Sequence, residues 1–169
     1  MKGNELLPVV GLAGAPLPRP KLLSPPRILV VDEDSDLCRL YTEALARPGY
    51  QVDVAEDGAA ALKALRGNNY QLLITEHSLP TLTGVELVKT LRAARMPLPV
   101  IMAAARLPTE ELARNPLLQP VAVLAKPFYI SQLLETVRTV LRATVSPREQ
   151  LDSLPNWRNQ PSAGGLQPG

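Results

Sequence analysis

One cysteine, Cys38, stands among the 169 residues. No disulfide can form within such a chain, and a reducing, cytoplasmic setting is the simpler reading. There is also one histidine, His77, which follows Glu76 with no second metal-ligand candidate near it in sequence and is expected at the surface. Aromatic residues make up only 4% against 46% hydrophobic, so the core must be built from Leu, Val, Ile and Ala. Charge of one sign is missing too: 18 basic and 16 acidic residues leave +2. That balance carries no footprint for nucleic acid. No apolar run approaches the ~18 residues that a membrane-spanning helix requires. The opening MKGNELLPVVGLAGAPLP places Lys2 ahead of apolar residues, but Glu5 and Pro8 break them up, against a signal peptide.

Proline is plentiful and unevenly placed. Of 18 prolines, six fall in residues 1–26 and four in 144–169. Proline fixes φ and removes an amide donor, so dense proline opposes regular structure. The ends therefore read as disordered tails, 1–26 and 144–169, around a folded segment at 27–143. Trp157 in the second tail reads as a chance residue before it reads as an anchor for a partner.

Within 27–143, two kinds of segment alternate. The short apolar runs ILVV (28–31), VDVA (52–55), LLIT (72–75), VIMA (100–103) and VAVL (121–124) suit strands buried on both faces. Between them, apolar residues recur at helical spacing: Leu37, Leu40, Tyr41, Ala44 and Leu45; Ala61, Leu62 and Leu65; Val85, Val88 and Leu91; Leu133, Val137, Val140 and Leu141. A weaker helix, TEELARN, opens after Pro108, with Thr109 as its expected N-cap. Five strand–helix repeats imply an α/β fold with a parallel sheet covered on both faces. In open sheets of this kind ligands bind beyond the carboxyl ends of the strands.

Those ends are rich in charge. Asp32 and Glu33 follow the first strand, Glu76 the third, Ala104 and Ala105 the fourth, and Lys126-Pro127 the fifth. Carboxylates gathered at one edge repel each other, and a hard divalent ion such as Mg²⁺ relieves that repulsion. Asp34, Ser35 and Asp36 are better read as caps of the first helix than as ligands. Lys126 taken alone would be an ordinary solvated lysine, and its position opposite the acids is what singles it out.

The ordered set of segments resembles the receiver domain of bacterial two-component response regulators. RILVVDEDSDLCRLYTEAL is similar to the family's first strand, acidic pair and first helix. GAAALKALRGNNYQLLIT is similar to its second helix and third strand, LPTLTG to its MPxMDG turn, LPVIMAAA to its fourth strand, and VLAKPF to its lysine, cis-proline and aromatic. The resemblance covers about residues 27–143. It implies a doubly wound, flavodoxin-like five-stranded parallel sheet of order 2-1-3-4-5. It also implies that an Asp at the end of the third strand accepts a phosphoryl group from a histidine kinase. Mg²⁺ would be held by Asp32, Glu33, the residue at 76 and the backbone carbonyl of Ser78, with Lys126 on the phosphoryl group.

Three positions depart from the pattern. Glu76 stands at the acceptor position, Ala104 where a Thr or Ser hydroxyl responds, and Val123 where an aromatic ring switches. Glu is one methylene longer than Asp, which displaces its carboxylate by roughly one C–C bond of about 1.5 Å. In phosphoryl transfer, misplacement by about 1 Å can cost on the order of a hundredfold in rate. Ala104 has no hydroxyl to donate and Val123 no ring to move. The leading expectation is thus a phosphorylation-independent receiver in which Glu76 is a charged partner for Lys126, and which docks a signalling protein in trans, a histidine kinase or a downstream effector. Two alternatives stay open: a phosphorelay receiver that still binds Mg²⁺, and a constitutive phosphomimic through Glu76. An enzyme is not expected, since no Gly-rich phosphate loop, nucleophile–base pair or metal-ligand His cluster is present. No output domain is expected after residue 143. The prolines of TEELARNPLLQP are expected to reshape the approach to the fifth strand, with Leu117 and Leu118 divided between core packing and partner contact.

Overall fold

The computed structural model describes residues 24–144. Most of both proline-rich tails, Trp157 included, lies outside the described residues. Five strands alternate with five helices: β1 Arg27–Val31, α1 Ser35–Ala46, β2 Gln51–Ala55, α2 Gly58–Gly67, β3 Leu72–Thr75, α3 Gly84–Ala93, β4 Val100–Ala104, α4 Thr109–Arg114, β5 Ala122–Ala125 and α5 Ile130–Thr144. A 3₁₀ turn, Pro116–Leu118, follows α4. The strands form one parallel sheet in the order β2-β1-β3-β4-β5.

Alternation along each strand splits the core into two layers, because successive side chains point to opposite faces. Leu29, Val31, Leu73, Val100 and Met102 pack with Ala61, Leu65, Val85, Val88 and Leu91 of α2 and α3. Ile28, Val30, Leu72, Ile74 and Ile101 pack with Cys38, Tyr41 and Leu45 of α1 and Leu133, Val137, Val140 and Leu141 of α5.

The expectation of strands buried on both faces holds for three of five. β3 and β4 are buried throughout, as is β1 beyond Arg27, whereas β2 and β5 form the sheet edges and expose Val54 and Val123. β5 also starts one residue later than the apolar run, leaving Val121 outside it and exposed. In α1 the buried stripe is Cys38, Tyr41, Ala44 and Leu45. Leu40 lies one residue round from Tyr41, ~100° about the axis, and is 45% exposed. Leu62 is half-buried at the flank of the first layer.

The helix starts explain themselves locally. Asp34 caps α1, its carboxylate accepting from the N–H groups of Asp36 and Leu37. Asp57 caps α2. Thr83 and Glu86 form a reciprocal capping box on α3 that the sequence reading did not include. At α4 the expected cap is corrected: Thr109 is the first helical residue, and Pro108, whose ring offers no acceptor, stands at the cap with no side-chain hydrogen bond. This six-residue helix is tied to α3 by Lys89 and Glu111 at 2.6 Å. Of the two leucines after it, Leu118 is buried and Leu117 is 84% exposed.

Candidate functional site

The carboxyl ends of β1, β3 and β5 meet in one pocket. Asp32 directly follows β1 and its N–H donates to the Ala55 carbonyl, which fixes it at the sheet edge. Glu76 directly follows β3, with its N–H on the Val31 carbonyl at 2.9 Å. Lys126 directly follows β5, its N–H donating to the Ala104 carbonyl at 3.0 Å, and the Lys126–Pro127 peptide is cis. β1 and β3 are neighbours in the sheet, but β4 lies between β3 and β5. The long lysine reaches across β4, where Ala104, fully buried, presents only a methyl group.

Lys126 Nζ lies 2.5 Å from Asp32 Oδ2 and 2.6 Å from Glu76 Oε2. Asp32 and Glu76 are both buried. Their remaining oxygens are also engaged. Asp32 Oδ1 accepts from the Asp34 N–H at 3.0 Å. Glu76 Oε1 accepts from the N–H groups of His77 at 2.7 Å and Ser78 at 3.3 Å. Glu76 thus divides its oxygens between the next two amides and the lysine, as Asp32 divides its own between the Asp34 N–H and the lysine. Burial opposes the charge on Lys126, but the hydrogen bonds to the two acids outweigh it and hold the ammonium above its ordinary pKa.

The surroundings are closely built. Gly84 donates its N–H to the His77 carbonyl at 2.8 Å. A side chain at Gly84 would meet the Glu76 carbonyl oxygen, so this turn requires glycine for close approach. Thr81, in the same turn, holds φ 67°, a left-handed conformation that a β-branched residue adopts only when its surroundings enforce it. Cys38 is buried and its Sγ–H donates to the Asp32 carbonyl at 3.3 Å. Burial first, then Asp32, push that thiol up to about 11, so it is no nucleophile at neutral pH.

The structure thus brings Asp32, Glu76 and Lys126 together and leaves Glu33 exposed beside them. His77 is half-buried, not at the open surface, and its Nδ1 is buried without a hydrogen-bond partner. Ser78 is exposed, and its amide serves Glu76. Ala104 lies behind the lysine, while Val123 is 40% exposed on the outer edge of the sheet. The resemblance implies Mg²⁺ at this donor set. An ammonium sits between Asp32 and Glu76 and contacts both, and Glu33 is exposed beside them. Among the described residues no three acids, cysteines or histidines group as a metal site. As arranged, the residues do not fit the ion.

Beside the pocket, Leu37, Leu40, Tyr41, Ala105, Phe128 and Ile130 line an open groove that reaches Lys126. Tyr41 and Phe128 stack in it with centroids 5.7 Å apart. The sequence reading placed Leu40 in the core and so passed over this groove. The signal available was the aromatic after the cis-proline, two residues ahead of α5.

Fold and pocket together define a receiver. The family model for the response regulator receiver domain matches residues 28–138, and the chain belongs to that family, the receivers of two-component signalling. Among curated relatives, the transcriptional regulatory protein PrrA of Mycobacterium tuberculosis is 33% identical over 117 residues, 69% of this chain and 50% of PrrA. The response regulator MprA of a Mycobacterium species is 34% identical over 129 residues, 76% of this chain and 56% of MprA. The chain therefore spans about half the length of the curated relatives it matches. A receiver domain of a Francisella response regulator superposes with a TM-score of 0.65 at 30% identity, covering 70% of this chain and 98% of that one. The Thermotoga maritima response regulator TrrA, solved with Mg²⁺ and BeF, gives 0.60 at 28% identity, covering 68% and 98%. No helix among the described residues is long and apolar enough to cross a membrane.

Proposed function

We propose that this receiver works without a phosphorylation switch, as a non-enzymatic cytoplasmic docking module for a signalling protein, a histidine kinase or a downstream effector. The observation that carries the reading is the engagement of Glu76. Both its oxygens are held, one by two backbone amides and one by Lys126, so the carboxylate is not presented for in-line attack on a phosphodonor. The responder is missing as well. A switch requires a two-state element that the site biases. Ala104 has no hydroxyl, and Val123 sits on the outer edge with no ring to turn inward. The apolar residues left exposed around β5, Leu117, Val121 and Val123, supply a docking face in one fixed conformation.

A second reading rests on the 2.6 Å contact between Glu76 and Lys126: a long carboxylate on the lysine imitates a phosphorylated Asp. It ranks lower because a mimic needs the same absent responder.

The test is amide NMR of the chain with Mg²⁺ and acetyl phosphate or beryllofluoride. The expected result is no phosphodonor-dependent shift in α4, β5 or α5, and labelling gained by Glu76→Asp with unchanged partner affinity. Shifts spreading to those elements in the wild type, or affinity changed on labelling of the Asp variant, overturn the reading.

A further inference from the structure

We infer that Lys126 is the resident cation of the acidic pocket, holding the place of a divalent ion and excluding it. The inference deepens the reading above by stating what balances the charge, and it rests on the same pocket.

Two buried carboxylates at one edge stay ionised together only with a counter-charge. A divalent ion would need several oxygen ligands with free lone pairs in an open arrangement, and Mg²⁺ demands near-octahedral geometry. Here a single ammonium contacts both acids at 2.5 and 2.6 Å. The outer oxygens are turned to backbone donors at Asp34, His77 and Ser78. The third acid, Glu33, is exposed and takes no part. Asp32 and Glu76 are held alike, each with one oxygen on the ammonium and the other on the backbone amides that follow it. A divalent ion entering between the acids would sit against the ammonium at short range, where repulsion is least screened. The backbone of Lys126 is fixed at the end of β5 through its N–H on Ala104, and its ammonium is held by the two acids.

The experiment is a titration of the full chain with Mg²⁺ alone, followed by amide NMR and by the thermal unfolding midpoint, in the wild type and in Lys126→Met. In the wild type no saturable shift at Asp32, Glu33, Glu76 or their neighbours is expected, and no change in midpoint. In Lys126→Met, Mg²⁺ is expected to raise the midpoint saturably, replacing the lost counter-charge. Saturable wild-type shifts confined to those residues would overturn the inference even if the variant did not fold. A folded Lys126→Met without any Mg²⁺ response would overturn it as well, because the ammonium would then not be what keeps the ion out. The two claims fail separately. Mg²⁺ binding without a phosphodonor response ends this inference and spares the docking module, and a phosphodonor response without Mg²⁺ does the reverse.

Discussion

Two charged clusters sit at opposite ends of the same sheet. At the carboxyl end, Lys126 joins Asp32 and Glu76, with side chains 18%, 5% and 11% exposed. At the amino end, Arg27 joins Asp53 at 2.6 Å, with side chains 35% and 37% exposed. Arg27 also donates to Asn68 at 3.0 Å and lies over the Tyr70 ring at 5.2 Å, and the Tyr70 hydroxyl donates to Asp53 at 2.7 Å. Both clusters tie strands of the sheet through a cation and acids. The amino-end cluster is open to water, which can solvate any group that loses its partner. The carboxyl-end cluster is buried and has two acids for one base, so its members depend on each other. The same interaction type makes a surface clasp in one place and a candidate functional site in the other, and burial is the difference.

Removing the cation at each end measures that difference. Lys126→Met leaves two buried carboxylates without a partner and is expected to lower stability by about 3–5 kcal/mol, the range for breaking a buried pair from one side. Urea unfolding followed by circular dichroism checks it. A loss near zero would mean that water reaches the pocket freely and that the two ends are alike. Arg27→Met should lose far less by the same measurement, because Asp53 remains solvated and keeps the Tyr70 hydroxyl. A loss equal to that of Lys126→Met would erase the distinction.

The smallest expected effect is a pH dependence at the amino end. Burial acts to raise the Asp53 pKa, but the hydrogen bonds from Tyr70 and Arg27 outweigh it, and the carboxyl is held below its ordinary value. A group with a depressed folded pKa contributes stability above its unfolded pKa, ~3.9 for Asp, and loses that contribution as pH falls through the folded value. The wild type and Asp53→Asn should therefore differ slightly in unfolding midpoint at neutral pH and converge in acid. Curves that stay parallel to the lowest pH at which the chain is folded would remove Asp53 as the titrating group. At the alkaline end, Tyr70 is pushed up to about 12 by burial and then by its bond to Asp53, so its contribution is complete below the ordinary tyrosine value of about 10 and is lost as pH rises from there through the raised one.

Much of this molecule was legible before its coordinates. Five apolar runs separated by amphipathic helices require a parallel α/β sheet, because only helices on both faces can cover strands that are apolar on both sides. The central strands obey that rule. The pattern could not tell that VDVA and VAVL would be edges, since an edge strand is defined by what is absent beside it in space. Asp34 was readable as a cap because its partners are two and three residues away. Thr109 was misread for the complementary reason: the chain conformation after Pro108 decides which residue caps, and residue type alone does not. Leu40 was assigned to the core on spacing, and the docking of α1 against the sheet turned it outward.

The same division holds at the site. Sequence by itself determined which residues stand at the strand ends: Asp32, Glu33, Glu76, Ala104 and Lys126 follow from the register of apolar run and charge. It also placed Ala104 and Val123, without a hydroxyl or a ring, at the end of the fourth apolar run and in the fifth. Only the tertiary structure decided which of the acids share the lysine. Lys126 lies 94 positions from Asp32, and the crossover of the doubly wound sheet is what sets it opposite Asp32 and Glu76 while Glu33, one residue on, faces water. Covalent neighbourhood fixes local hydrogen bonds, but the pairing of buried charges depends on packing across strands that the chain visits at different times.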